Sequence, residues 1–509
     1  MIFIINFGKI DFMKKSVAII GGGVSGMIAG IYLLDNGFDV TIYEKHVITG
    51  GQCTAWSRKG VLIDGCAHWI VGTNPKSDLY PLWKHVGAIR DDSQIFETEY
   101  FSDFEINGQH VVIYADIDKL KAELLKVAPE DKKQINFFIK QIKAYRHVSV
   151  PAKRPLDWNN PFQWMALGFR MLPMAASYAR CKKIALRDFA KRFKSPILQK
   201  LFTRIINPNF NLHALAYTLQ ALSMKDAGVI QGGSIKFTKN IEERFLSLGG
   251  VIKTNTEVNK VLIKNHHAVG VKISNNEEIK TDFVISACDM HHTLYDLLDN
   301  QYNSAFFNHR FDDRKKNPLI QSFSFAYSMP LKKAQTISKM NCFPCQGIKV
   351  GDFEFEYIAM RNHAFDESLN NSKTCITLLQ DVPDKVYDYL KSLSHEEYLK
   401  EKNELGEKFR KALVDHFNLD DEDISLIDVA SPLTYERYTN AYRGSYQAFC
   451  TTSYMGELMD KGIIKGLNNF YMCGQWIMPP GGLPVAAISG KIAAMRTTKA
   501  AKQKFIDKE

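Results

Sequence analysis

The chain holds 509 residues, 45% hydrophobic and 24% charged, with a net charge of +10 at pH 7. At roughly 150 residues per domain it carries about three domains' worth of sequence, so a marginal mini-protein, a disordered chain and a collagen-like polymer are excluded. Nine cysteines, odd in number and irregularly spaced, make no disulfide framework and fit reduced thiols in a cytoplasmic setting. Residues 1–12, MIFIINFGKIDF, lack the basic start and small-residue cleavage site of a signal peptide. Residues 1–13 are expected to be a tail or an upstream extension, Met13 being a more natural start.

Val17-Ala18-Ile19-Ile20 is a short β-branched run of the kind that forms a buried parallel strand. Gly21-Gly22-Gly23-Val24-Ser25-Gly26 follows and matches G-x-G-x-x-G. Met27 to Leu34 reads as a helix stopped by Asn36-Gly37, and Val40 to Tyr43 as a second strand ending in Glu44. This order fits a dinucleotide. Gly21 permits the tight turn, Gly23 lets the backbone approach a pyrophosphate at the helix N-terminus, and Gly26 lets helix and strand pack closely. Glu44, 23 residues after Gly21, can accept hydrogen bonds from ribose hydroxyls. A second glycine pair, Gly50-Gly51, precedes Gln52 and lets another loop pass near the phosphates.

Asp64-Gly65 leads into Cys66-Ala67-His68-Trp69. Asp64 reads as a turn cap. His68 reads either as a proton donor or acceptor, or as a hydrogen-bonded core histidine. Residues 151–200 carry eleven Lys and Arg against Asp157 and Asp188, so this window holds +9 of the total +10. Inside it, PFQWMALGFRMLPMAASYAR (161–180) is apolar and aromatic between basic flanks. That pattern suits peripheral contact with an anionic membrane, with Phe162, Trp164, Met165 or Leu167 inserting. The alternative is a helix pair with a solvated basic face. No recognition motif accompanies the charge, so no nucleic-acid partner is expected.

Two uncharged runs, 205–224 and 466–490, are broken by Asn, Pro and Gly, and a spanning helix of ~20 apolar residues is not expected. Gln231-Gly232-Gly233 precedes a helix. Gly249-Gly250-Val251-Ile252 begins a strand, Glu257–Ile263 and Ala268–Ile273 form a hairpin around His266-His267, and Phe283–Ala287 is a further buried strand. The segments near 321–329 and 374–380 would form the floor of a substrate region, beside a helix at 395–416. Cys342-Phe-Pro-Cys345 lacks the context of a thioredoxin or zinc site and reads as loop cysteines. His266-His267 and His291-His292 read as loop residues without a metal. Asn469 to Cys473 reads as a strand ended by Gly474-Gln475-Trp476. Pro479-Pro480-Gly481-Gly482-Leu483-Pro484 then opens a helix from about Val485 to Arg496, whose N–H groups and dipole would favour negative charge on a ligand. Residues 501–509 look like a polar tail.

Together these motifs resemble the phytoene desaturase, carotenoid isomerase and retinol saturase group of FAD enzymes, within the amine-oxidase-type flavoproteins. The resemblance runs from the Gly21–Glu44 fingerprint through Gly50-Gly51, Asp64-Gly65, Gln231-Gly232-Gly233 and Ser286-Ala287-Cys288-Asp289 to Gly474 and Pro480–Pro484. It departs at Gln52, where the group usually carries Arg. The resemblance implies an α/β fold with an α+β substrate part: a discontinuous Rossmann-like FAD-binding domain of glutathione-reductase type with an inserted substrate-binding domain. The expected boundaries are 14–75, 226–300 and 431–500 for the FAD part, and 76–225 and 301–430 for the substrate and membrane part. It further implies non-covalent FAD held by Gly21, Gly23, Ser25, Gly26, Glu44, Lys45, Gly50, Gly51, Gln52, Val258, Gly474, Gln475, Gly482, Leu483, Pro484 and Val485. The stretch holding His68 would approach the flavin. The implied reaction is oxidoreduction at C–C or C=C bonds of a long apolar polyene-like or lipid substrate, of desaturase or saturase type. Redox-neutral isomerisation remains open, as does a flavin-free lipid carrier of the Rab GDP dissociation inhibitor architecture. No motif names the electron acceptor.

Overall fold

A computed structural model describes residues 14–66, 69–146, 152–454, 456 and 459–509. The strand Ser16–Ile20 lies at the centre of a five-stranded parallel sheet. Asp39–Tyr43 and then Val251–Lys253 lie on one side, Phe283–Ser286 and Phe470–Met472 on the other. Chain segments more than four hundred residues apart thus share one sheet. The continuous apolar runs follow from this position: a parallel strand covered on both faces needs no polar side. Ile19, Ile42 and Ile285 are fully buried against Ile28 and Ile31 of the first helix and Phe245 of the helix Gly233–Ser247. The first helix spans Val24–Asp35, starting three residues before the apolar pattern does, because its first turn belongs to the glycine loop. The other face is covered by a three-stranded antiparallel sheet, Val258–Lys264, His267–Ile273 and Glu278–Lys280, through Val261, Ala268 and Val271.

A second, mixed sheet of eight strands carries the other half of the molecule. Leu319–Pro330 pairs antiparallel with Lys373–Val382 from Gln321 to Pro330, with Phe325 opposite Leu378. Phe353–Asn362, Met340–Val350 and Tyr100–Ile106 continue the sheet. The 23-residue helix His395–Phe417 buries Leu405, Phe409 and Leu413 against its outer face, meeting Phe325 and Phe355. Helices between residues 117 and 223 form a cap whose core includes Phe138, Phe189 and Phe202.

Three expectations are corrected. Residues 501–509 are not a free polar tail. Phe505 packs beside Tyr32, Ile506 N–H donates to Asn36 at 2.7 Å, and Asp507 and Glu509 approach the buried Lys491 at 2.7 and 2.8 Å. The apolar Phe505, the Ile506 backbone N–H and a buried cation on the C-terminal helix hold them there. Cys342 and Cys345 lie on the strand Met340–Val350, not on a loop, and burial pushes both thiols up to about 12. The histidine pairs also differ from free loops. His267 opens a strand, while His291 stacks between Tyr295 and Tyr442, where burial holds its pKa down to about 4. Among the described residues no helix is long and apolar enough to cross a membrane.

Candidate functional site

Both sheets face one cavity of about 2330 Å³. Ligand pockets are ordinarily ~300–1,000 Å³, so this space exceeds what one small ligand fills. One end is built from the two glycine loops. Gly21 takes φ +100°, a backbone conformation that a side chain disfavours, and Gly50 N–H donates to Gly22 O at 2.9 Å, which ties the loops edge to edge. A Cβ on Gly23 would meet nothing nearer than Gly51 Cα at 4.0 Å, so the chain leaves open space just above the N-terminus of the first helix. Gly26 differs: a Cβ there would lie 2.2 Å from Gly21 O and 3.3 Å from Ile19. It serves helix–strand packing and does not line the cavity, whereas the other fifteen residues expected at a cofactor all line it.

The buried Glu44 carboxylate accepts N–H groups from Gly22 at 2.7 Å and His46 at 2.8 Å. These bonds fix the carboxylate at the end of its strand, with lone pairs left for hydroxyl donors. Thr256 N–H donates to Glu44 O at 2.8 Å and brings Glu257 and Val258 alongside. Lys45 turns toward the Asn440 side chain and lies 3.8 Å from Glu257.

The C-terminal helix, Leu483–Ala500, starts on the same wall with Gly482 as its N-cap. Gln475 organises the approach. Its Nε2 donates to Gln52 Oε1 at 2.8 Å and to Tyr446 O at 3.3 Å, and its Oε1 accepts Gly482 N–H at 3.4 Å. Gln52 Nε2 donates in turn to Ser445 O at 2.8 Å. The residue that stands in place of an arginine is therefore a link between the two ends of the chain. An open cradle at Gly23 and Gly51, an anchored acid and two helix N-termini fit a dinucleotide: the N–H ends suit its pyrophosphate and a reducible ring, and Glu44 suits a ribose.

Beyond this end the cavity widens over the inner face of the mixed sheet. Tyr357, Ala359, Met360 and Arg361 line it from one strand, and Thr377, Leu379, Gln380 and Asp381 from the next. The sequence pattern placed a floor here but named none of these residues, since a sheet-rich composition marks a strand and not a site. Burial holds Arg361 down to about 10 despite the nearby Asp64. Asp64 itself caps the helix Gly233–Ser247, accepting Ser234 N–H at 2.8 Å and Ser234 Oγ–H at 2.5 Å. His68 lies outside the described residues. At the far end, His213 Nδ1 and Tyr145 Oη are 2.8 Å apart, and burial holds the imidazole down to about 4.

The helix Pro161–Cys181 walls the same space. Leu167, Met171, Met174 and Tyr178 line the cavity. On its outer side Phe162, Trp164, Met165, Phe169 and Leu172 are 48–76% exposed. Leu167 therefore faces inward, and Phe169 and Leu172 take its place in the exposed row.

Residues 24–498 match the family of flavin containing amine oxidoreductases. The chain is 21% identical to a 4,4'-diapophytoene desaturase (4,4'-diapolycopene-forming) of Methylomonas sp, over 97% of each chain. It is 24% identical to prolycopene isomerase 2 of an Oncidium hybrid cultivar, over 57% of this chain and 51% of that one. Among solved structures, cyclohexylamine oxidase from Brevibacterium oxydans IH-35A aligns with a TM-score of 0.58 and 14% identity, covering 96% of this chain and all of that one. With a fingerprint, a closing helix and a match spanning nearly its full length, the chain belongs to the flavin-containing amine oxidoreductase family, whose members bind flavin.

Proposed function

We propose that this protein is an FAD-dependent oxidoreductase acting on C–C or C=C bonds of a long apolar polyene-like substrate, with the FAD held non-covalently. One observation carries the reading: the glycine loops from both ends of the chain open into the same cavity, which continues into a chamber too large for the cofactor alone. When bound, FAD supplies the two-electron acceptor. The chain's own residues bind and orient it: Gly23, Gly51 and the first helix toward the pyrophosphate, Glu44 toward a ribose, Gln475 and the N-terminus of the C-terminal helix toward the ring. The sheet face and the helix Pro161–Cys181 supply apolar walls that exclude water from a hydrocarbon. The desaturase relative supports this substrate class. The isomerase relative supports a second reading, redox-neutral isomerisation on the same scaffold.

The same helix supports peripheral contact with an anionic membrane. It exposes Phe162, Trp164, Met165, Phe169 and Leu172 outward while lining the cavity inward, beside the exposed Lys183, Arg187, Lys191 and Arg192. A substrate confined to lipid could then pass from bilayer to cavity without crossing water. The test is the absorption spectrum of the purified protein and the products formed on anaerobic incubation with polyenes and other lipids. Flavin bands with desaturated, saturated or isomerised products support the reading. A colourless protein that binds lipid unchanged overturns it.

A further inference from the structure

Among the described residues, eight carboxyl side chains line the cavity: Glu44, Glu257, Asp289, Glu354, Glu356, Asp381, Asp384 and Asp428. Among the described residues, seven are committed to a backbone N–H or a cation. Glu44 holds Gly22 and His46, Asp289 holds His291, His292 and Tyr442, and Asp428 holds Val429. Glu257 faces Lys45, Glu354 faces Lys349, Glu356 faces Arg204 and Asp384 faces Arg443. Asp381 alone has neither. It accepts only side-chain donors, Asn207 Nδ2–H at 3.1 Å and Tyr446 Oη–H at 3.3 Å. Its side chain is half-buried, and it lines the cavity.

Its position is equally specific. Asp381 lies on the cavity floor, in register with Ser322 of the neighbouring strand. Tyr446, whose phenol meets Asp381, accepts Gln475 Nε2–H on its own carbonyl oxygen. One residue therefore separates Asp381 from the glutamine junction at the start of the C-terminal helix, where the cofactor ring is placed in the reading above.

We propose that Asp381 is the catalytic base of this cavity, removing a proton from a substrate carbon. The proposal rests on the polyene reading of the site and adds a residue and a step to it. One carbon of the C–C bond loses a hydride, with its two electrons, to the bound flavin as oxidant. The adjacent carbon loses a proton to an Asp381 carboxylate oxygen, and the electron pair of that C–H bond becomes the new π bond. The neutral acid then releases the proton to water before the next turnover.

The surroundings suit a group that gains and loses a proton. Burial raises the Asp381 carboxyl to about 6, and the bonds from Asn207 and Tyr446 only partly offset it. The other titratable groups facing it are Tyr446, Tyr435 and Cys450, all pushed upward by burial and neutral across this range. No cation enters its balance among the described residues. A base whose pKa lies near the working pH is the one that transfers protons efficiently.

The purified, flavin-loaded protein is titrated by infrared difference spectroscopy from about pH 4 to about pH 8. The expected result is a carboxylic acid band lost with a midpoint near 6. The band is missing in Asp381→Asn and moves to higher pH in Tyr446→Phe, which removes a donor to the carboxylate. Asp289, also raised to about 6, keeps its own band in both variants. Asp381→Asn should keep its flavin and lower polyene conversion by ~10²–10⁴-fold, with Asp381→Glu restoring part of it. Conversion by Asp381→Asn at the wild-type rate, or a titration identical in wild type and Asp381→Asn, overturns the proposal and leaves the functional reading standing. A wild-type protein that shows the band but converts no polyene overturns that reading and the catalytic role with it.

Discussion

Gln475 and Gln52, 423 positions apart in sequence, are joined by a direct hydrogen bond of 2.8 Å. The bond closes the wall between the N-terminal glycine loop and the C-terminal helix, and Gln475 also serves Gly482 N–H and Tyr446 O. Replacing it by an apolar residue of similar size strands three polar partners at once. Gln475→Leu should lower the stability of the flavin-loaded protein by roughly 1–3 kcal/mol and weaken flavin retention. Denaturant unfolding and flavin content after gel filtration check this. A variant with unchanged midpoint and flavin content would show that the link is dispensable.

The fingerprint glycines should separate by role. Gly23→Glu places a side chain in open space, so the fold should survive while the carboxylate repels the pyrophosphate and flavin is lost. Gly26→Ala brings a Cβ to 2.2 Å from Gly21 O and should cost folding itself. The two are distinguished by circular dichroism alongside flavin absorbance: native spectrum without flavin in the first, loss of soluble protein in the second.

The C-terminal segment should behave as part of the core. Lys491 is fully buried, with Asp507 and Glu509 approaching its ammonium and the Tyr32 ring 5.3 Å away. Deleting residues 505–509 leaves that charge without carboxylates and should destabilise the protein by ~3–5 kcal/mol. Adding Lys491→Met to the deletion should recover much of the loss. Thermal melts of the three proteins decide the matter, and an unshifted melt of the deletion would contradict it.

Membrane attachment should need both features of the helix Pro161–Cys181 and its flank. Substituting Lys182, Lys183, Lys191 and Arg192 by Gln should abolish co-sedimentation with anionic liposomes at low salt, each basic residue near such a surface being worth ~1 kcal/mol. Replacing Phe162, Trp164 and Phe169 by Ser should weaken it at any salt. Flavin content should stay unchanged in both. Equal binding to neutral vesicles would reduce the basic window to a solvated face.

Asp381 should also leave a mark on stability. Its folded-state pKa, about 6, lies above the ordinary aspartate value, so between the two the folded state binds more protons than the unfolded state. The contribution is fully present below about pH 4 and is lost as pH rises through about 6, by roughly 2–3 kcal/mol. Asp381→Asn should flatten that slope. Chemical denaturation across this range measures it, and parallel curves would argue against the raised value.

The sequence alone determined the parts whose physics is local. A β-branched run, a G-x-G-x-x-G loop and an acid at the end of the next strand dictate a nucleotide half-site wherever they occur together. The second glycine loop and the Gly-Pro helix start announce themselves in the same way. The sheet-forming segments near 321–329 and 374–380 and the helix at 395–416 were legible as elements, though not the pairing of the two strands, which run Leu319–Pro330 and Lys373–Val382. Tertiary structure decided everything that depends on partners far apart in the chain. Gln52 looked like a lost arginine until Gln475 was brought to it. Residues 501–509 read as a tail because their polar character showed, while the buried Lys491 that receives them did not. Leu167 and Phe169 are both apolar, and only the packing of their helix turns one inward and the other outward. Asp381 carries no motif at all: among the described residues its carboxylate meets only the side-chain donors Asn207 and Tyr446, a setting made by the cavity around it that no local pattern encodes.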